Sequence, residues 1–274
     1  MHTYRFSHAL GYTLEQMSEM HNASFQGYFM PVEMMPEMTA DFWRINAIDA
    51  LRSVVMHDEA GTFVGMARMG TRGKRGWCGG FGIVPAFRGS GASRLLAEQM
   101  VRVARASGLA TLQLEVLTQN ERARRLYERV GFTVTRRLFG LEIASAALPA
   151  GAPVHVERVA IEAVLPQFLG SVHPCWECEL ATILTIPAEA VVIRGSDGQF
   201  NGVIVQRGQR VSILASFFSS ELADADLAAL LHQAAGEASG LVVFNEPEES
   251  PCLARYRALG FSEFFSQYEM LLTL

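Results

Sequence analysis

The strongest chemical signal in the sequence is the run Gly82-Ile83-Val84-Pro85-Ala86-Phe87-Arg88-Gly89-Ser90-Gly91-Ala92-Ser93. An apolar stretch closed by Pro85 enters a glycine turn. The turn opens a helical pattern in which Leu95, Leu96, Met100 and Val103 share one face before Gly108 ends it. The first N–H groups of a helix have no partner inside it and carry partial positive charge. Glycines let a diphosphate reach those donors without meeting a Cβ atom, and Arg88 can add a charged contact. This is the chemistry of a phosphate cradle. A Walker loop would need Gly-Lys-Ser/Thr where this chain has Gly91-Ala92-Ser93, and a dinucleotide fingerprint would need glycine at 94, where arginine stands. An ordinary strand-to-helix turn is the bland alternative.

A second run, NERARRLYERVGF (120–132), follows about thirty residues later. Together the two runs resemble the Gcn5-related N-acetyltransferase (GNAT) family. VPAFRGSGAS carries Arg88, Gly91 and Ser93 at the positions of the coenzyme A signature R/Q-x-x-G-x-G/A. Asn120, Ala123, Leu126, Tyr127, Gly131 and Phe132 match the motif that comes next. The one departure is Ser93, where the family has Gly or Ala, and serine is small enough to be accommodated. The resemblance spans residues 3–143.

That resemblance implies an α/β (α+β) fold: a mixed, mostly antiparallel sheet flanked by helices, with two central parallel strands that splay apart at a bulge. Here those strands would be Phe81–Val84 and Leu112–Leu117. It implies acetyl-CoA as co-substrate, its pantetheine arm lying in the gap against backbone groups of Ile83 and Val84. Backbone N–H groups of Arg88, Gly89, Ser90, Gly91 and Ala92, within the signature that ends at Ser93, would hold the pyrophosphate. Asn120 would bond the coenzyme arm, and a strand N–H would polarise the thioester carbonyl.

Acetylating an amine requires removing a proton from an ammonium whose pKa is about 10.4, stabilising an oxyanion and protonating a thiolate. No step requires a metal. The resemblance places Tyr127 beside the coenzyme sulfur as the acid; a tyrosine that only packs is the alternative. Glu115, charged within the apolar strand pattern 112–117, is the candidate base, because a buried unpaired carboxylate would be costly. An ion pair with Arg122, Arg124 or Arg125 would explain it equally. His21 and Glu33 are weaker candidates. The connection from Phe25 to Met38 is rich in aromatic residues and methionine, and it reads as an acceptor lid or as core packing. Tyr28, Phe29 and Glu33 are the expected substrate contacts.

The elements that would hold these residues follow from periodicity. TYRFSHA reads as a strand, and Leu14, Met17, Met20 and His21 fall at helical spacing. A second helix is expected through 38–50 with Thr39 or Asp41 near its start, then a hairpin over 51–72. Asn120 caps a helix that Gly131 ends. SAALPAGAP (145–153) reads as a linker. The element order then recurs: a strand, a helix over 161–170, a hairpin around Asp197-Gly198, a strand, a helix, a strand, a helix and a last strand. The expected domains are 1–144, catalytic, and 154–274, a degenerate copy. That copy lacks the cradle. Residues 216–224 hold no glycine or arginine, and Glu221 and Asp224 would repel a pyrophosphate.

A net charge of −5 over 274 residues argues against nucleic acid as a partner. No apolar run is long enough to span a bilayer, and MHTYRFSHALGYTLEQM lacks the regions of a signal peptide, so a cytoplasmic location is expected. Cys175 and Cys178 form a C-x-x-C behind His173 without the further ligands of a structural zinc site, and read as two buried thiols. The expected partner is an amine on a small molecule or peptide, with a homodimer left open. The expected activity is N-acetyl transfer. An acyltransferase with another acyl donor or an oxygen acceptor, and a non-catalytic acyl-CoA sensor, remain alternatives.

Overall fold

The computed structural model describes residues 3–30, 33–169, 173–195 and 198–274. They form two compact units, Met1–Thr135 with Tyr268–Leu274, and Arg136–Gln267. This division differs from the expected 1–144 and 154–274. The boundary falls inside a strand, and the chain's last residues return to the first unit, because Met270 and Leu272 complete its apolar core.

The first unit runs β1 (Tyr4–His8), α1 (Leu14–Phe25), α2 (Pro36–Ile45), β2 (Val54–Asp58), β3 (Phe63–Arg72), β4 (Arg75–Ile83), α3 (Ala92–Ala106), β5 (Thr111–Leu117), α4 (Glu121–Arg129) and the start of β6 (Thr133–Ala144). The sheet order is β1-β2-β3-β4-β5, then residues 268–273 of the last strand, then β6. Pairs from β1 to β4 are antiparallel, and β4–β5 is parallel. The pleat sends alternate side chains to opposite faces. Val54 and Met56 join Met69, Leu112 and Leu114 against Leu96 and Met100 of α3, while Val55 and Met66 face Met17 of α1.

Local sequence explains the helix ends that matter. Thr13 and Gln16 form a capping box that starts α1. α2 begins earlier than expected, with Pro36 pre-set in its first turn. Thr39 therefore caps nothing; it is buried within the helix, where its hydroxyl bonds Ser18 Oγ at 2.7 Å. Asn120 Oδ1 accepts from the Ala123 N–H at 3.2 Å and caps α4.

The second unit continues β6 and adds β7 (Glu157–Val159), α5 (Leu165–Leu169), α6 (Leu180–Ile183), β8 (Ala188–Arg194), β9 (Phe200–Gln206), β10 (Val211–Phe217), α7 (Asp224–Ala235), β11 (Gly240–Pro247), α8 (Pro251–Ala258) and β12 (Ser262–Thr273). Its sheet order is β12-β6-β11-β10-β9-β8-β7, and β10–β11 is its parallel pair. Leu227, Leu230, Leu231 and Tyr256 cover one face, and Ile161, Val164 and Phe168 the other.

Two expectations change here, and the hairpin expected around Asp197-Gly198 forms between β8 and β9. Residues 145–153 are packed rather than a loose linker: Ala152 N–H donates to Ala225 O at 2.9 Å, and a Cβ on Gly151 would lie 2.6 Å from Ala229 Cα. The helix expected over 161–170 is a 3-10 turn, Ile161–Val164, running into α5, with Gly170 outside the described residues. Gly198 closes the turn after β8 through its N–H to Gly195 O at 3.0 Å, and Asp197 lies outside the described residues. Among the described residues no helix is long and apolar enough to cross a membrane. The four cysteines are buried and none forms a disulfide.

Candidate active site

β4 and β5 pair only where Arg75–Cys78 meets Thr111–Leu114. Beyond that point a register shift at Gly79 turns β4 away: Met69 pairs with Cys78, but Arg68 pairs with Gly80. Phe81–Ile83 and Glu115–Leu117 then face each other without pairing. The glycines of this strand answer to close neighbours. A Cβ on Gly80 would lie 2.5 Å from Arg68 Nη2, and one on Gly82 would lie 2.5 Å from Ser24 Cβ of α1.

Two backbone assignments follow from the pairing. Val84 N–H donates to Val64 O at 2.9 Å, so it is not available to a ligand in the gap. Alternation along an antiparallel pair then turns Gly82 with Val84 toward β3, and Phe81 with Ile83 toward the gap. The Val84 N–H is thus turned out of the gap and the Phe81 N–H into it.

Gly89 and Gly91 take left-handed conformations, φ 84° and 91°, and Gly91 stands at the start of α3. The N–H groups of Arg88 and Ser90 close the preceding turn onto Pro85 O and Phe87 O, at 3.1 and 3.4 Å. The Ala92 N–H has a long bond to Ser90 Oγ at 3.3 Å. Among the described residues the N–H groups of Gly89, Gly91 and Ser93 meet no acceptor, and a Cβ on Gly91 would touch nothing within 4 Å. The turn is thus open space bordered by unsatisfied donors, which fits a pyrophosphate.

Arg88 does not aim at that space. Its Nε donates to Ile83 O at 2.9 Å, and its Nη2 to Ser24 O and Gln26 O at 3.0 and 2.8 Å. It clamps the end of α1 to the turn, because three carbonyls without helical partners outcompete solvent for its planar donors. The cation beside the cradle is Arg122, which is exposed, with Nη2 3.7 Å from the Cβ position of Gly89. Sequence reading considered Arg122 only as an ion-pair partner; its place in the first turn of the helix capped by Asn120 is the signal that could have found it.

Tyr127 is buried in α4. Its ring meets Phe81 of the gap strand edge to face at 5.7 Å, and Phe132 at 5.9 Å. Burial pushes its phenol well above the usual range, with the nearby Cys78 thiol and Tyr28 adding to the shift. Burial also raises the Tyr28 phenol, against a hydrogen bond with Asn120 that lowers it. The structure thus brings together Tyr28, Asn120, Tyr127 and Phe81. Cys78, held at about 12 chiefly by burial, is the apolar partner behind them.

Glu115 is anchored. Trp77 Nε1 donates to its Oε2 at 2.6 Å, and Gln113 Nε2 to its Oε1 at 3.2 Å. Gln113 Nε2 also donates to Oε1 of Glu269, from the end of β12, at 2.9 Å. Arg124 pairs instead with Glu121 and Glu128, and Arg125 with Glu121. Trp77 was missed from sequence, because its pairing with Glu115 depends on the register of two strands far apart in the chain. Arg68, buried with its guanidinium 4.5 Å over the Phe42 ring, was missed for the same reason.

The remaining acceptor candidates separate. Phe29 contacts Tyr28 edge to face at 5.6 Å but is 54% exposed, and Glu33 is exposed. His21 is buried and stacks on Phe25 at 4.4 Å, which makes it part of the wall. Pro31 and Val32 of the expected lid lie outside the described residues. Among the described residues no group of three or more His, Cys, Asp or Glu side chains could hold a metal ion.

Residues 14–132 match the acetyltransferase (GNAT) family. A sequence comparison with curated proteins gives no match. Among solved structures, a GCN5-related N-acetyltransferase from Sphaerobacter thermophilus is similar at 15% identity and a TM-score of 0.72, over 98% of this chain and 95% of that one. A tandem GNAT protein from the clavulanic acid biosynthesis pathway is similar at 14% identity and a TM-score of 0.66, over 100% and 98%. A GCN5-related glucosamine N-acetyltransferase region of a fungal multi-domain enzyme is similar at 10% identity and a TM-score of 0.72, over 98% and 38%. At such identities the likeness shows the fold: two GNAT-like units in one chain.

Proposed function

We propose, from the premise that residues 14–132 form a domain of the acetyltransferase (GNAT) family, that this domain transfers the acetyl group of acetyl-CoA to a primary amine. The observation that carries the reading is one continuous arrangement. Strands β4 and β5 separate at the Gly79 bulge, the open donors of Gly89, Gly91 and Ser93 lie just downstream, and Tyr127 stands against the gap strand.

Gly89, Gly91, Ala92 and Ser93 would hold the pyrophosphate through backbone N–H groups, with Arg122 adding charge. Phe81 and Ile83 would pair with the pantetheine arm, and Asn120 would bond it beside Tyr28. The coenzyme supplies the acetyl group as an activated thioester. Glu115 takes a proton from the amine as nitrogen attacks the carbonyl carbon. A β4 N–H donates to the carbonyl oxygen as charge develops there. Tyr127 gives its phenolic proton to sulfur as the C–S bond breaks; burial keeps that proton in place until then. The products are an amide and a thiol. Glu115 releases its proton and Tyr127 regains one from solvent.

The acceptor would lie against Tyr28, Phe29 and the α1–α2 connection, with Glu33 at its exposed margin. An amine on a small molecule or peptide is the class this wall suits. Release of coenzyme thiol, followed over a panel of amines, tests the reading. Turnover with an amine and none with the matching alcohol supports it, and hydrolysis that no amine accelerates contradicts it.

A further inference from the structure

The second unit repeats the separation of its parallel strands. β10 and β11 pair only over Val211–Ile213 and Leu241–Val243. A register shift between Ile213 and Ala215 bends β10, and a second between Val243 and Glu246, with Asn245 at φ 57°, bends β11. Asn245 is fixed in that conformation by its bonds to Glu177 Oε2 at 3.3 Å and Gln267 Nε2 at 2.8 Å. A cavity of about 840 Å³ opens there, within the range of sites for drug-sized molecules.

Its walls combine an aromatic and aliphatic surface, from Phe168, Phe200, Leu214, Phe217, Phe218 and Phe244, with polar side chains that include Asn201 and Ser216. Glu246 lines it and is buried, accepting a hydrogen bond from Ser250. Glu221 and Asp226 also line it. Among the described lining residues the one arginine, Arg194, lies over the Phe200 ring at 4.4 Å and pairs with Glu157 at 3.8 Å. A coenzyme does not fit here. α7 opens without a glycine turn, carries Asp224 and Asp226 in its first turn, and Arg255 spends its donors on Ser219 O, Leu222 O and Asp224.

We infer that this cavity is a second binding site, independent of the N-terminal one, for an apolar molecule bearing a single amine, whose ammonium pairs with the Glu246 carboxylate. Three carboxylates and one engaged arginine favour a cation over an anion, and aromatic walls favour an apolar body. Burial raises the Glu246 carboxyl to about 7, with Glu249 adding to the shift and the Ser250 bond opposing it. Burial also raises the neighbouring Cys252 thiol and Tyr256 phenol, so of these three buried groups Glu246 is the one an arriving ammonium ionises.

The test is calorimetric titration of the whole chain, without acetyl-CoA, using tryptamine and n-octylamine alongside the alcohols of the same bodies. At least one amine binds tenfold or more tighter than its alcohol at pH 7.5. Glu246→Gln removes that preference without lowering the melting temperature, whereas Glu115→Gln keeps it. Should Glu246→Gln fail to fold, Leu214→Trp, which fills the cavity from its wall, abolishes the same binding. Equal affinity for amine and alcohol, a preference that survives Glu246→Gln or Leu214→Trp, or no binding of any probe would each overturn the inference.

Discussion

Trp77 and Glu115 come from neighbouring parallel strands and meet through one hydrogen bond, the indole Nε1–H donating to the carboxylate Oε2 over 2.6 Å. Trp77 lies within the paired stretch, opposite Gln113, and Glu115 is the first residue of β5 beyond it, so the indole reaches across the end of the pairing to hold the carboxylate. In the proposed function, a base held in this way would reach an attacking amine with little reorganisation.

Trp77→Phe keeps the aromatic packing and removes the donor. A carboxylate left short of a partner costs about 1–3 kcal/mol in stability, and a misplaced base costs about tenfold in kcat. Acetyl-CoA affinity stays as in the wild type. Thermal unfolding and steady-state rates read the two effects separately.

Tyr127→Phe removes the phenolic proton from a buried site and leaves the ring contacts with Phe81 and Phe132 in place. The rate falls about 100-fold or more, the scale of a general acid. Coenzyme affinity holds. Because burial raises the phenol well above its usual range, the wild-type rate shows no loss up to pH 9 from ionisation of this group. Unchanged turnover in the variant would make Tyr127 a packing residue.

Arg88→Ala removes two hydrogen bonds that join the turn to the end of α1 and one that joins it to Ile83 of β4. Arg88 is exposed and water competes for its donors, so stability falls by about 1 kcal/mol. Affinity for acetyl-CoA falls less than tenfold, because the guanidinium does not face the cradle. Amide exchange at residues 24–27 accelerates in the variant, and protection equal to wild type would contradict the clamp.

Much of this site was legible in the sequence, and the rest was hidden for a physical reason. Gly89, Gly91 and Asn120 announced themselves because backbone conformation and capping are local properties of the chain. Tyr127 followed from its motif. The role of Arg88 was read wrongly, since a charge beside a glycine turn resembles a phosphate ligand until the carbonyls at the end of α1 are seen to surround it. Trp77, Arg122 and Arg68 depend on register and on contacts between distant segments, which no local pattern encodes. The division into compact units differs from the expected domains for the same reason: nothing in residues 268–274 says that this strand completes the first unit.

Glu246 gives the second unit a measurable pH response. Below about 4.5, its ordinary value, the carboxyl is protonated whether folded or unfolded. Between there and about 7 the unfolded chain loses the proton while the folded chain keeps it, so stability falls as pH rises through that window. Above it the cost levels at on the order of 3 kcal/mol. Glu246→Gln does not titrate, so its melting temperature gains on the wild type from pH 4.5 to pH 8. Parallel curves would contradict the shift.

The central claim, that the Gly89–Ser93 turn of the first unit holds acetyl-CoA, is tested most directly by calorimetric titration of acetyl-CoA into the wild-type chain and into Gly91→Glu. The variant places a carboxylate in the space that now holds no atom within 4 Å of a Cβ on Gly91, and its folding is checked by melting temperature. Saturable binding to the wild type, lost in a folded variant, is the result the account predicts. No binding to the wild type, or equal binding to both chains, would contradict it.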